Sequence, residues 1–337
     1  MNMPTSDIDI RESILCRTGD LLDILLIDRT TKKNIIWATD SYEQLGKKFA
    51  PKKRIEPELI TGRYPLLIQP RAVKSLAEQR RRTRDKAEVF TPLKTVDQIN
   101  KKVDMSNRNC MPNKSNWKAY IRELKLEITC GEAPFIVSRY NPTANTGKLI
   151  KLENRVGFLD RKLKIINKYC HKKNEWLFWA KEAFKASYGY EWQGDNVLLA
   201  RENLLYTLID YYKDKFKRAP SLLVQEKFAE IISWNIFQMD GLKYVTPMSC
   251  RHESKVILGD WTLFEVMPDK VEKHECEGCK CNRPHKHNGK YVKIMDWNMN
   301  KAVRLADIFF KKSSPSETHE KQRRTMEIKP QRALWVQ

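Results

Sequence analysis

Three short apolar runs in this chain each end on a polar marker, with helical periods between them. The first, Lys125-Leu126-Glu127-Ile128-Thr129-Cys130-Gly131, enters a glycine turn and then a second apolar run, Phe135-Ile136-Val137. The second, Tyr188-Gly189-Tyr190-Glu191-Trp192, carries one carboxylate. The third, Asn235-Ile236-Phe237-Gln238-Met239-Asp240-Gly241, ends on an Asp followed by Gly. Apolar residues return at helical spacing through Val156, Leu159, Leu163 and Ile166, through Trp176, Trp179 and Phe184, and through Val224, Phe228, Ile231 and Ile232. A longer helical stretch runs from Val197 to Phe216. Strands alternating with helices favour a parallel sheet. Ligands of such sheets bind beyond the carboxyl ends of the strands, so Cys130-Gly131, Glu191 and Asp240 outline one candidate pocket.

The charge balance bears on the partner. Lys and Arg number 63 against 42 Asp and Glu, a formal charge of +21 over 337 residues. Such a surplus raises the local concentration of polyanions, nucleic acid first among them. The densest basic segment, Arg71 to Lys86, reads as a helix or arm in which Arg80, Arg81, Arg82 and Arg84 would meet phosphates. No apolar run is long enough to span a bilayer, and the N-terminus lacks the layout of a signal peptide. Five of the eight cysteines are scattered, which suits the reducing cytoplasm better than a disulfide framework. Near the start, Ile24-Leu25-Leu26-Ile27 and Asn34-Ile35-Ile36-Trp37 read as the arms of a hairpin.

The other three cysteines are gathered with histidines between His274 and His287. Cys276 and Cys279 form a Cys-x-x-Cys pair with the bite that zinc requires. Cys281 and either His285 or His287 would complete the tetrahedron. Four protein ligands leave no open position, so the metal would be structural. Beyond Lys311 no periodicity remains, and the segment reads as a disordered tail.

Taken in order, these stretches resemble the adenine-specific (N6) DNA methyltransferases of restriction-modification systems. Glu88-Val89-Phe90-Thr91-Pro92 is similar to the family's leading motif, which places Phe90, Thr91 and Pro92 near the amino-acid part of S-adenosylmethionine. Glu127 to Phe135 looks like the first cofactor motif: Cys130, Gly131 and Phe135 agree, Glu127 stands for the acid, and Ile128, Glu132 and Ala133 depart. Glu191 falls at the ribose-binding acid and Asp240 at the acid that contacts the adenine of the cofactor. The family's Asn-Pro-Pro-Tyr, which grips the flipped base, does not occur in this sequence.

The resemblance implies a doubly wound, Rossmann-like methyltransferase sheet over residues 76–249, after a small α+β region (1–75) and before a Cys/His region (250–310) and a tail (311–337). It implies S-adenosylmethionine as cofactor, double-stranded DNA as substrate and a modification role. The missing tetrad points to a chain truncated to the cofactor half, with a downstream-encoded portion or a restriction subunit as partner. A non-catalytic, zinc-stabilised relic that binds DNA or a partner is the competing class. An RNA methyltransferase would share the cofactor features.

Overall fold

The computed structural model of the chain describes residues 19–61, 64, 66–106, 112–144, 146–257, 270–310 and 334–336. It opens on α1 (Gly19–Leu26), which passes directly into β1 (Ile27–Asp28), paired antiparallel with β2 (Lys33–Asn34). The hairpin expected from Ile24 is thus mostly replaced by helix. Leu21, Leu22, Leu25 and Leu26 lie on one helical face and are buried together, which leaves two residue pairs for the ladder.

After α2 (Pro57–Thr61), the basic segment forms α3 (Leu76–Lys86), and α4 (Leu93–Ser106) and α5 (Trp117–Arg122) lead to the sheet. β3 (Lys125–Glu127) is followed by α6 (Phe158–Tyr169) and α7 (Lys173–Lys185), then β4 (Ser187–Glu191). The pattern repeats with α8 (Gly194–Phe216), α9 (Leu222–Asn235) and β5 (Ile236–Gln238). Two antiparallel hairpins come next, β6 (Glu253–Ile257) with β7 (Lys270–His274) and β8 (Lys293–Asp296) with β9 (Lys301–Arg304). Between them in sequence lies α10 (Glu277–Cys281); α11 (Leu305–Phe309) and β10 (Leu334–Val336) end the described chain.

The fold is mixed α/β. β3, β4, β5 and β10 form one parallel sheet in the order β10-β3-β4-β5, with Trp335 opposite Leu126, Leu126 opposite Tyr188, and Tyr190 opposite Phe237. Helices must carry each parallel crossover, which is why two intervene at every step from β3 to β5. β10 corrects the expectation of a wholly disordered tail, because pairing with β3 satisfies its backbone groups. The rest of the tail, 311–333 and 337, lies outside the described residues. Strands are added on one side of β3 through β5 and then on its other side by β10. The strand order therefore reverses between β3 and β10.

α8 is buried on nearly every side through its first five turns, so its polar residues need internal partners. Arg201 donates to the carbonyls of Ile236 (2.8 Å), Leu25 (2.5 Å), Ile27 (2.9 Å) and Ser233 (3.2 Å), joining α1, β1, α9 and β5 to α8. Gln238 extends the edge of β5: its side chain exchanges hydrogen bonds with the backbone of Ile36 and also donates to Trp192 O. One apolar cluster runs from Leu21 to Ile236 across these elements, and a smaller one gathers Phe237, Met239, Val292, Ile294 and Leu305. No helix among the described residues is long and apolar enough to cross a membrane.

Arg82 is the inward face of α3. Its guanidinium meets Asp195 at 2.8 Å, Glu78 at 3.0 Å and Glu88 at 3.3 Å, and it donates to the Tyr42 hydroxyl at 2.8 Å. Burial alone would raise the Asp195 pKa, but Arg82 beside it holds the carboxyl below its ordinary value. A carboxyl depressed in the folded state contributes stability above its unfolded pKa, near 4, and loses that contribution as pH falls through the lower folded value. Asp195→Asn should cost about 3 kcal/mol at pH 7 by leaving Arg82 under-compensated. Denaturant midpoints of the two proteins should converge on acidification towards pH 3; a gap that stays constant would show that the ion pair is not its source.

Candidate functional site

The chain between β3 and α6 is strained where it leaves the sheet. Thr129 (φ 44°), Gly131 (φ 52°) and Ala133 (φ 63°) all adopt the left-handed conformation within five residues. Such conformations are costly for Thr and Ala and persist where neighbouring bonds over-determine them. Those bonds are present. Cys130 N–H donates to Tyr190 O at 2.8 Å, Gly131 N–H to Glu191 Oε2 at 2.9 Å, and Ala133 N–H to Cys130 O at 2.7 Å. The two oxygens of Glu127 accept from Phe135 N–H (3.2 Å) and Ile136 N–H (3.0 Å). Burial pushes the Glu127 pKa up against the pull of these two donors.

Glu191 closes the same end of β4. Its Oε1 accepts from Trp192 N–H (2.9 Å) and Gln193 N–H (3.2 Å), while Oε2 accepts only from Gly131 among the described residues. Burial raises its pKa, and these three donors oppose that shift. At the end of β5, Asp240 Oδ1 accepts from Leu242 and Lys243 N–H, and Oδ2 faces the Lys243 ammonium at 3.5 Å. Met239 N–H donates to Glu191 O at 2.9 Å, so the two acids sit at neighbouring strand ends.

The fold brings most of the sequence-derived cofactor residues to this place. The Phe90 ring packs on Gly131, where an added Cβ would stand 3.0 Å from it, and Arg71 lies over the same ring at 5.2 Å. Cys130 and Phe135 are buried behind the turn, and burial pushes the Cys130 thiol pKa well up. Thr91 is half-buried, and Pro92 is exposed with its carbonyl starting α4. Sequence reasoning missed Lys74 and Glu132. The Lys74 ammonium is buried without a hydrogen-bond partner among the described residues, and Glu132 accepts from Tyr140 O–H and Arg71 N–H; no local pattern marks either residue.

The four arginines of α3 do not act together. Arg82 turns inward as described, which removes it from the expected phosphate contacts. Arg81 pairs with Glu78 and Arg84 with Asp85, while Arg80 is exposed.

The metal cluster differs from the expected set by one ligand. Cys250, Cys276, Cys279 and His287 converge, with all ligand atoms within 4.8 Å of one another. His287 Nδ1 lies 3.6 Å from Cys250 Sγ, 3.6 Å from Cys276 Sγ and 3.7 Å from Cys279 Sγ. A tetrahedron with ordinary Zn–S and Zn–N bonds has an S···N edge of roughly 3.6 Å. The cluster can therefore hold a metal ion such as zinc.

Cys281 is exposed, because two residues beyond Cys279 on α10 is the opposite side of the helix. His285 sets its ring edge against Phe310 at 4.5 Å instead. Cys250 takes the vacant position from the loop after Asp240. Gly278 makes the close approach possible, since a Cβ there would come 2.6 Å from His287 Nδ1. Asn288 N–H donates to Cys276 Sγ at 3.3 Å, a bond that favours the thiolate.

Comparison with known proteins returns no match: no family model fits the chain, and no curated protein or solved structure is significantly similar to it.

Cys250→Ser should abolish stoichiometric metal binding, measured as metal per chain by emission spectrometry, whereas Cys281→Ser should leave it unchanged. The reverse pattern would restore the ligand set read from sequence.

Proposed function

We propose that this chain is the cofactor-binding portion of an S-adenosylmethionine-dependent methyltransferase whose acceptor is the exocyclic amine of adenine in DNA. It would serve as the modification component of a restriction-modification system. The observation that carries the reading is the position of the strained turn. The strand order reverses beside β3, and at that end lie Gly131, Phe90 and Glu191. Crevices at such reversals are where open α/β sheets take nucleotide-like ligands.

The donor and acceptor chemistry fits an adenosyl group. Glu191 Oε2 has one lone pair left after Gly131, suited to a ribose hydroxyl, and Asp240 Oδ2 carries no backbone donor, suited to an amino group. The cofactor would supply the methyl group from its sulfonium centre. The chain's own residues orient it through the Gly131 turn, with Phe90 closing one side. The metal at Cys250, Cys276, Cys279 and His287 would be a zinc ion in a structural role, since four protein ligands fill its tetrahedron.

A non-catalytic reading is favoured by one sequence fact, the absence of Asn-Pro-Pro-Tyr. Alignment of the acceptor amine supplies much of the barrier reduction, and no base-gripping tetrad is present to provide it. Calorimetric titration with S-adenosylmethionine separates the readings: saturable binding is expected, weakened by about 1.5 to 3 kcal/mol in Glu191→Ala. Folded wild type that gives no binding heat would remove the methyltransferase reading. Incorporation of labelled methyl into duplex DNA by the chain alone should be negligible. Robust incorporation would place the base-gripping groups somewhere other than a tetrad of that kind.

A further inference from the structure

A second surface, away from the strained turn, has the chemistry of a phosphate contact. α5, the end of α6 and α7 bring three aromatic rings into one cluster. Trp117 stacks on Tyr169 with centroids 5.4 Å apart and meets Trp179 edge-on at 4.9 Å. Cations surround the cluster. Lys118 Nζ lies 5.7 Å from the Trp117 ring and 5.4 Å from the Trp179 ring, Arg122 lies 4.8 Å from Trp179, and Lys168 lies 5.4 Å from Tyr169. Phe178, 51% exposed, stands edge-on to Trp179.

The charge on this face is lopsided. Residues 117–122 and 168–182 contain Lys118, Arg122, Lys168, Lys172, Lys173 and Lys181 against Glu175 and Glu182. Arg122 takes Glu182 at 2.7 Å. Lys118, Lys168, Lys172 and Lys173 are exposed, and none of the four has an ion pair among the described residues. A surplus of exposed positive charge on neighbouring elements favours a polyanion as partner. The ring contacts restrain Lys118 and Lys168, which reduces the entropy lost when their ammonium groups are captured.

Connectivity sets the position of the face. α5 enters β3, and α7 enters β4, at the amino ends of those strands, whereas the Gly131 turn and Glu191 stand at the carboxyl ends. We infer that this amino-end face binds the sugar-phosphate backbone of a nucleic acid, as a contact separate from the crevice. Lysines recognise phosphate as point charges, and phosphate contacts carry no sequence information. The contact is therefore tolerant of sequence. It does not depend on the methyltransferase reading.

The test is fluorescence anisotropy of the full chain with a 30-base-pair duplex and a single strand of equal length, over a series of salt concentrations. A variant carrying Lys118→Gln, Lys168→Gln, Lys172→Gln and Lys173→Gln is compared with one carrying Lys47→Gln, Lys48→Gln, Lys52→Gln and Lys53→Gln. Both remove the same charge from exposed sites. For duplex, the first variant should flatten the slope of log affinity against log salt by about 3 to 4, at roughly 0.9 per lost phosphate contact, and lower affinity at least about 100-fold near 0.1 M salt. The second should change the slope by less than half as much.

Equal losses in the two variants would reduce the effect to net charge and overturn the inference. So would an unchanged slope, or a response confined to competition by polyglutamate. Cofactor titration of the first variant is a separate readout: normal S-adenosylmethionine binding with lost DNA affinity supports the surface, and absent cofactor binding by wild type leaves the surface result standing.

Discussion

The carboxylate of Glu191 is the bond on which the carboxyl end of the sheet depends. It accepts the N–H groups of Gly131, Trp192 and Gln193, so one side chain ties the turn after β3 to the start of α8. Without it, Gly131 would have no reason to keep its left-handed conformation, and Phe90 would lose the flat surface on which it packs. Glu127 acts in parallel from the neighbouring strand, holding Phe135 and Ile136. The strained turn is therefore over-determined by two buried acids, which lets its left-handed residues persist.

α8 carries the demand for internal polar partners further. The buried turns of such a helix must satisfy their charged side chains from within, and here Asp195 and Arg201 do so in opposite ways. Asp195 is neutralised by Arg82 from α3, whereas Arg201 has no carboxylate within ion-pair distance among the described residues and is satisfied by four carbonyl oxygens. Burial lowers the Arg201 pKa to about 9, which still leaves it charged at neutral pH. Each arrangement anchors an N-terminal element to α8, and Leu21, Leu25, Trp37, Ile55 and Ile68 join the same core that supports the turn.

Much of this was legible because the signals are local. The ends of β3, β4 and β5 lie where an alternating or continuous apolar run gives way to helical spacing, and a polar residue marks each. Contacts between distant residues left no such trace. Four arginines at 80, 81, 82 and 84 look equivalent along the chain, and the buried partners Asp195, 113 residues away, Glu88 and Tyr42 select Arg82 for the interior. Cys281 is nearer to Cys279 in sequence than Cys250 is, yet α10 turns it outward. Ile24 to Ile27 is too short for periodicity to separate helix from strand, and packing against α9 decided it.

The cluster of the metal lobe and the end of β5 are joined by one short loop. The loop from Asp240 to Cys250 is held at both ends, by backbone bridges from Asp240 to Val245 and from Val245 to Tyr291, and by Cys250 in the cluster. Five buried apolar residues form the lobe's own small core, and two of them belong to β5 and its extension rather than to the hairpins. A core of that size contributes little, so a metal bound at the cluster would supply much of the energy that keeps the lobe folded. Because Gly241 packs directly on the Tyr190 ring, loss of that order would reach the end of β4 beside Glu191. The loop that supplies Cys250 thus links the ligand set to the carboxyl end of β4.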